Sequence, residues 1–288
     1  MKIAAWMVAI PLLLVARGSA GPPRIENASL ESTLLQGSLG AQVAAWSATV
    51  DEPSWMGWHV PMIKGDGMLC CATRGDRQLQ VKACALESSH RHLVFSSDRS
   101  DFPLDGSETL VIMLRANQGR VDELRIYSEG CRLDAGGRAV TWLEGVDPEE
   151  SVGLLSQWIE GDSVLEDEAL MAMALHASTV AAERLAGIAR QSADADLRGE
   201  ALFWLSHTGA DNAPEVVLQA LAEDPDARVR DEAVFALSQL PEQQGMPLLL
   251  EILRDPTRPA EIREEAFFWY VQSGDDQALD LIAEILSD

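Results

Sequence analysis

Positive charge is scarce in this chain. It has 22 Lys and Arg residues against 46 Asp and Glu residues, which gives a formal net charge of −24 at pH 7. Proteins bind nucleic-acid backbones and anionic lipid surfaces through clustered Lys and Arg side chains. We therefore expect no nucleic acid and no anionic membrane surface among the partners. The acidic surface is typical of a protein kept soluble by its charge.

Motifs that carry chemistry are missing as well. The sequence has no GxSxG, no P-loop and no GxGxxG that opens a helix after a strand, and no CxxC, HxxxH or HExxH spacing. Acidic residues are abundant but scattered, so no carboxylate pair stands out as an acid and base. The sequence therefore predicts no catalytic residue, no metal site and no cofactor, and we expect no enzymatic activity.

Long apolar runs are absent beyond the first twenty residues. Residues 1–20 contain Lys2, an apolar run over 3–16 and the small residues Gly18-Ser19-Ala20, a pattern typical of a signal peptide. The run is shorter than the roughly 18 residues that a membrane span needs. We expect export to the periplasm or the extracellular space, with no stable membrane insertion after cleavage. An uncleaved signal anchor is the alternative.

Cysteine is confined to the first half of the chain. The four cysteines are Cys70, Cys71, Cys84 and Cys131. In an exported domain they predict two disulfides. A bond between the adjacent Cys70 and Cys71 would be strained, so each is expected to pair with Cys84 or Cys131. The alternative is a thiol-redox or metal-dependent enzyme that uses these cysteines with His90 or His92.

Residues 21–146 contain short apolar runs separated by turn residues, which predicts a β-rich domain. We expect antiparallel strands, because the connections are too short for crossover helices. Strands are predicted at Gln42–Thr49, Gln78–Leu86 and Leu93–Phe95, and hairpins at 110–127 and 131–143.

Two tryptophans stand close together in Trp55-Met56-Gly57-Trp58. A dense apolar cluster of this kind indicates a core or a sheet edge. The alternative is a small-solute-binding protein with Trp55 and Trp58 at the mouth of its site.

A helical pattern is repeated four times after residue 163. Its central alanines, each preceded by Glu, recur at intervals of 32, 32 and 33 residues, and an apolar residue follows each of them sixteen positions later. The alanines are Ala169, Ala201, Ala233 and Ala266. A period in this range predicts a solenoid of stacked helix pairs. Asp147-Pro148 begins another helix, expected to cap the exposed end of the stack.

The motif Val229-Arg230-Asp231-Glu232-Ala233, followed by Leu237, resembles HEAT repeats, in particular the short subclass found in phycobilisome lyases. The resemblance covers residues 163–287 and implies an α-α superhelix. HEAT-type di-iron hydroxylases carry His-Glu pairs, and none occurs here, so the resemblance implies no iron chemistry. The N-terminal half resembles no family that we recognise.

We therefore predict an α+β protein of two domains, in which a β-rich, disulfide-containing domain precedes a HEAT-like α-solenoid of about four repeats. The predicted segments are a signal peptide over 1–20, a β-rich domain over 21–146 and the solenoid over 147–288. Within the solenoid we place a capping helix at 147–160 and repeats near 163–194, 195–226, 227–259 and 260–287.

The second position after each central alanine lies on the helix side away from the predicted core, at 100° per residue. Most repeats of this class are polar there, but this chain has Met171, Phe203, Phe235 and Phe268, with Trp204 and Trp269 one residue further on. An exposed aromatic column would bind a protein partner, beside Glu200, Glu232 and Glu265. The alternative is packing between repeats or against the β-rich domain. We predict a non-enzymatic interaction or scaffold protein whose partner-binding residues are Phe203, Trp204, Phe235, Phe268 and Trp269.

Overall fold

The computed structural model describes residues 21–63, 69–74, 79–88, 108–161 and 163–272, with the backbone alone at 72–74, 79–81 and 242. Several predictions concern residues outside these ranges. They are the signal peptide, the strand at Leu93–Phe95, His90, His92 and the end of the fourth repeat.

The described part of the chain forms ten strands and nine helices. The strands are β1 (Arg24–Glu26), β2 (Ser29–Leu34), β3 (Ser54–Pro61), β4 (Ala72–Arg74), β5 (Leu79–Val81), β6 (Cys84–Ala85), β7 (Thr109–Asn117), β8 (Arg120–Ser128), β9 (Arg132–Asp134) and β10 (Ala139–Glu144). The helices are α1 (Leu39–Ala48), α2 (Pro148–Ile159), α3 (Glu166–Leu175), α4 (Thr179–Gln191), α5 (Ala195–His207), α6 (Ala213–Glu223), α7 (Ala227–Gln239), α8 (Glu242–Arg254) and α9 (Ala260–Gln272).

A strand-rich region thus precedes a helical region, as predicted. Its main sheet has five strands in the order β2-β10-β3-β7-β8, and a smaller sheet has the order β1-β9-β6. The prediction of antiparallel pairing is wrong for much of this region. Strand β10 runs parallel to both β2 and β3, and the β1-β9-β6 sheet is parallel throughout.

Helix α1 explains the parallel pairing in the main sheet, and it replaces the strand predicted at Gln42–Thr49. The side chain of Ser38 accepts a hydrogen bond from the Ala41 N–H and caps the helix. Leu39, Val43 and Ser47 are buried at a spacing of four residues, which is a helical period. Because α1 crosses from β2 to β3, these two strands can run in the same direction on either side of β10.

The hairpin predicted between residues 110 and 127 is confirmed. Strands β7 and β8 pair antiparallel, and the turn holds Gln118 at φ 50° and Gly119 at φ 80°. Two successive positive φ angles suit the right-handed twist of a hairpin. The second predicted hairpin is wrong, because β9 and β10 belong to different sheets and the turn at Gly136 and Gly137 carries the chain from one to the other.

The predicted disulfide pattern is confirmed: Cys70 bonds to Cys131 and Cys71 bonds to Cys84. Cys70, Cys84 and Cys131 are buried in a small core that also holds Trp55 and Trp142. The bonds therefore tie the segment that follows β3 to both β6 and the start of β9.

The central strands β3 and β7 of the five-stranded sheet are buried on both faces, whereas the edge strand β2 is largely exposed. Along β3, Met56, Trp58 and Val60 point into the core shared with the helices, whereas Trp55 points into the small disulfide core. Alternate residues of a strand face opposite sides of the sheet, which accounts for this division. A side chain at Gly57 would clash with Met113 and Trp142, so the close packing of the second face requires glycine there.

The helical region packs on the sheet without an interruption in the core. Buried residues from β3, β7 and β8 form one apolar cluster with residues of α1 to α9. Backbone hydrogen bonds also connect the strand-rich region to the helical region. The Ile63 N–H donates to the Leu175 carbonyl at 3.0 Å, and the Ala177 N–H donates to the Pro61 carbonyl at 2.9 Å. The domain boundary predicted at residue 147 stays a prediction, because this core continues across it.

Helices α3, α5, α7 and α9 pack side by side in one row. Helices α4, α6 and α8 alternate with them along the chain. The four central alanines are fully buried. A methyl group at this position lets neighbouring helices approach closely.

A buried polar chain sits where the sheet meets the helices. Trp58 donates its indole N–H to the Ser151 hydroxyl at 3.1 Å, and Ser151 Oγ lies 3.2 Å from His176 Nε2. The tautomer of His176 decides whether Ser151 or Nε2 donates in the second of these hydrogen bonds. Burial lowers the pKa of His176 to about 4, so the ring is neutral at physiological pH.

Replacing His176 with Gln is expected to flatten the dependence of stability on pH. In the unfolded chain the His176 imidazole takes up a proton below its ordinary pKa of 6.5. In the folded protein it does so only near pH 4. This residue alone should therefore destabilise the wild type by about 2 kcal/mol between pH 7 and pH 5. Urea unfolding of both proteins at the two pH values measures the difference. Equal losses of stability in wild type and variant would show that the pKa of His176 is not lowered in the folded protein.

The two disulfides are expected to differ in their contribution to stability. Cys70 and Cys131 are 61 residues apart, and Cys71 and Cys84 are 13 apart. Because the longer loop loses more entropy in the unfolded chain, replacing the first pair with Ala should cost roughly 4 kcal/mol and replacing the second roughly 3 kcal/mol. Urea unfolding without reductant tests the order of the two losses.

Candidate functional site

Five aromatic side chains form a continuous series across α5, α7 and α9, which we call the aromatic ladder. Its members are Trp204, Phe203, Phe235, Trp269 and Phe268. The Phe203 and Phe235 rings stack at 5.5 Å with an angle of 14° between their planes, and Phe235 lies 4.5 Å from Trp269. Edge-on contacts of 4.9 and 5.0 Å add Trp204 at one end and Phe268 at the other. These distances suit favourable aromatic pairs.

The ladder packs between helices and also faces solvent. Phe203, Trp204, Phe235 and Trp269 are partly buried, and 54% of Phe268 is exposed. The sequence allowed either a packed or an exposed column, and the structure combines the two. Met171, the first residue of the predicted column, packs on the core and lies outside the ladder.

A groove runs beside the ladder between α5 and α7. Its volume is about 610 Å³. It is lined by Ala195, Asp196, Gly199, Glu200, Phe203, Arg228, Val229, Asp231, Glu232 and Phe235. The absent side chain of Gly199 keeps α5 clear of Glu232, since a Cβ there would lie 3.2 Å from the Glu232 Cγ. One wall is therefore aromatic, while most of the polar lining is acidic.

Two of the recurrent glutamates have perturbed acidity. Burial and the neighbouring carboxylates, Asp167 and Glu166 foremost, raise the pKa of Glu200. Burial also raises the pKa of Glu265, with Asp231 and Glu232 adding to the effect and a hydrogen bond from the Trp269 indole at 3.4 Å opposing it. Burial is the larger cause of both shifts, and repulsion between neighbouring negative charges adds to it.

A tighter acidic cluster lies at the α3 end of this surface. Carboxylate oxygens of Glu166, Asp167 and Glu200 all lie within 4.8 Å of one another. Exposed acidic groups often approach this closely without an ion, and the cluster carries no metal assignment.

The N-terminal candidates occupy structural positions. Trp55 and Trp58 are fully buried, so they do not form the mouth of a solute site, and that alternative is wrong for these residues. All four cysteines are in disulfides, and an oxidised cysteine cannot act as a nucleophile. His59 stacks on Trp142 at 5.9 Å, and burial lowers its pKa.

The recurrent arginine has a role that the sequence did not predict. Arg198 donates to both carboxylate oxygens of Asp224, at 2.8 and 2.9 Å, and to the Ser192 carbonyl at 2.9 Å. Arg230 donates to the Asp224 carbonyl at 2.7 Å. The loop before α7 is thereby fixed to the starts of two helices. The sequence signal that could have predicted this role is the recurrence of Arg in the repeats near the acidic turn Asp224-Pro225-Asp226.

Comparison with known proteins agrees with this part of the fold. A HEAT-repeat family model matches residues 182–268 and 214–288, and the N-terminal half matches no family. HEAT repeats, which are typically protein-interaction modules, are therefore found within residues 182–288. No curated protein matches the chain. In the part of the chain that the structure describes, every helix is too short or too polar to cross a membrane.

Two arginines on neighbouring helices provide a matched test of the buried ion pair. Replacing Arg198 with Gln leaves Asp224 buried without its partner, which should destabilise the protein by about 3 kcal/mol. Arg228 pairs with Asp196 at the exposed surface, so replacing Arg228 with Gln should cost less than about 1 kcal/mol. Urea unfolding measures both losses. Equal losses would show that Asp224 does not need its buried partner.

Proposed function

We propose that this protein is an exported, non-enzymatic scaffold that binds a protein partner through the aromatic ladder. The observation that carries the proposal is the partial exposure of five contacting rings on helices of three consecutive repeats. Contiguous apolar surface of this kind usually marks an interaction site, and aromatic residues dominate the binding energy of many interfaces.

The arrangement of the helices supports an α-solenoid of about four repeats, with α2 covering its first turn. Helix α2 packs against α1, α3, α4 and β3. It begins at the Asp147 cap, whose carboxylate accepts from the Glu149 N–H at 2.8 Å. The first repeat needs such a cover because no repeat precedes it to bury its apolar side.

Rigidity favours the ladder as a binding surface. Each ring contacts a neighbour on its own helix or on the next one, and Trp204 and Trp269 also pack on the buried core. A surface already ordered before binding loses less entropy when a partner arrives.

The two disulfides support export. Disulfides persist in oxidising compartments such as the periplasm and the extracellular space. Together with the predicted signal peptide, they favour one of these locations for the mature protein.

A non-enzymatic role is favoured by the placement of the candidate catalytic groups. The cysteines are oxidised, His176 is buried and neutral, and the groove beside the ladder is open and acidic rather than closed around a nucleophile and base. None of these groups forms the arrangement of nucleophile and neighbouring base that covalent catalysis uses.

Substitutions in the ladder are expected to abolish partner capture. Phe235→Ser removes the central ring, and Phe268→Ser removes the most exposed one with little effect on the core. Leu218→Ser on α6 is the matched control, because it also removes a partly buried apolar side chain. Affinity capture from the exported protein fraction, followed by mass spectrometry, compares the three variants with wild type.

The proposal requires a protein retained by wild type and by Leu218→Ser but lost by both ladder variants. Thermal unfolding should show that Phe268→Ser retains the wild-type fold. Undiminished capture by Phe268→Ser and Phe235→Ser would overturn the proposal.

A further inference from the structure

We propose that the aromatic ladder and its groove receive a cationic segment of the partner, a stretch of protein chain rich in arginine or lysine. This inference rests on the proposed function, since it specifies the chemistry of the partner at the same surface.

Carboxylates lie beside the ladder on each of its three helices. The recurrent glutamate precedes the ladder phenylalanine by three residues, and side chains at this spacing are neighbours on a helix surface. The direct contact between the Glu265 carboxylate and the Trp269 indole shows this adjacency. Asp196 and Asp231 extend the acidic side of the groove. A ligand on the rings therefore lies within reach of several negative charges.

These charges are poorly neutralised by the protein itself. Among the described residues, Glu200, Asp231 and Glu232 make no ion pair with a basic side chain. Arg228 is the basic residue in the lining of the groove, and Asp196 and Asp226 already engage it at 2.6 and 3.1 Å. A ligand cation would supply the missing positive charge.

The raised pKa values of Glu200 and Glu265 also favour a cationic ligand. Burial is the largest cause of the raised pKa of Glu200 and of Glu265, and neighbouring carboxylates add to both shifts. A bound cation would offset this repulsion and lower both pKa values.

Aromatic rings and carboxylates together suit a guanidinium or ammonium group better than a neutral ligand. The face of Phe or Trp attracts a cation through its quadrupole, and a guanidinium can stack on a ring while it pairs with a carboxylate. An uncharged apolar segment would cover the carboxylates without compensating the loss of their hydration. Charge complementarity therefore favours a basic segment over an apolar one.

Fluorescence anisotropy with labelled peptides tests this inference on the whole mature protein. The probes are a short peptide of alternating Arg and Ser, and the same peptide with Gln in place of Arg. We expect the Arg peptide to bind wild type and the Gln peptide not to bind. Affinity should fall between about 50 mM and about 500 mM salt, because exposed charges are screened.

Two double variants separate a specific site from the general acidity of the protein. Asp231→Asn with Glu232→Gln removes two groove charges and should weaken the Arg peptide about fivefold. Glu215→Gln with Glu251→Gln removes two exposed charges from the other helices and should leave its affinity unchanged. Equal weakening by the two pairs, or none by the first, would overturn the inference.

Phe235→Leu tests the contribution of the ring itself, because it keeps an apolar side chain but removes the aromatic face. We expect about threefold weaker binding of the Arg peptide. If no wild-type binding of the Arg peptide is detected while the ladder variants still lose a captured partner, the cationic inference is wrong and the proposed function stands. If the ladder variants capture as wild type does, the proposed function itself fails.

Discussion

Burial of one sheet face against the first helices is the constraint on which this structure depends. The face formed by Met56, Trp58 and Val60 needs a cover, and the first repeat helices need a neighbour for their apolar sides. One contact satisfies both needs. Trp58, Ser151 and His176 add a polar chain at the same place, with hydrogen bonds of 3.1 and 3.2 Å in a part of the core that excludes water. The strand-rich and helical regions consequently share a single core.

The aromatic ladder combines two physical roles that are often separate. Ring stacking between α5, α7 and α9 connects consecutive repeats, whereas the exposed parts of the same rings leave apolar surface in contact with water. The second role has a cost in solubility that the neighbouring carboxylates offset through their hydration. A surface of this composition is compatible with an acidic, soluble protein that binds another chain.

Acidic residues have different environments in different parts of the repeats. Asp224 is buried with two hydrogen bonds from Arg198, which lower its pKa and fix a loop. Burial and the neighbouring carboxylates raise the pKa of Glu200 instead. An acidic side chain close to an arginine thus stabilises the repeat, whereas one without a basic neighbour can pair with a ligand at the surface.

The sequence by itself determined the repeat period, the buried alanines, the β7–β8 hairpin and the partition of the cysteines, because these features arise from periodicity and residue chemistry along short stretches of chain. It also located the ladder residues. Only the tertiary structure decided that Gln42–Thr49 forms a helix, that β10 lies parallel between β2 and β3, and that the rings stack while staying partly exposed. Strand direction and ring exposure depend on contacts between residues far apart in the chain, which no local pattern records.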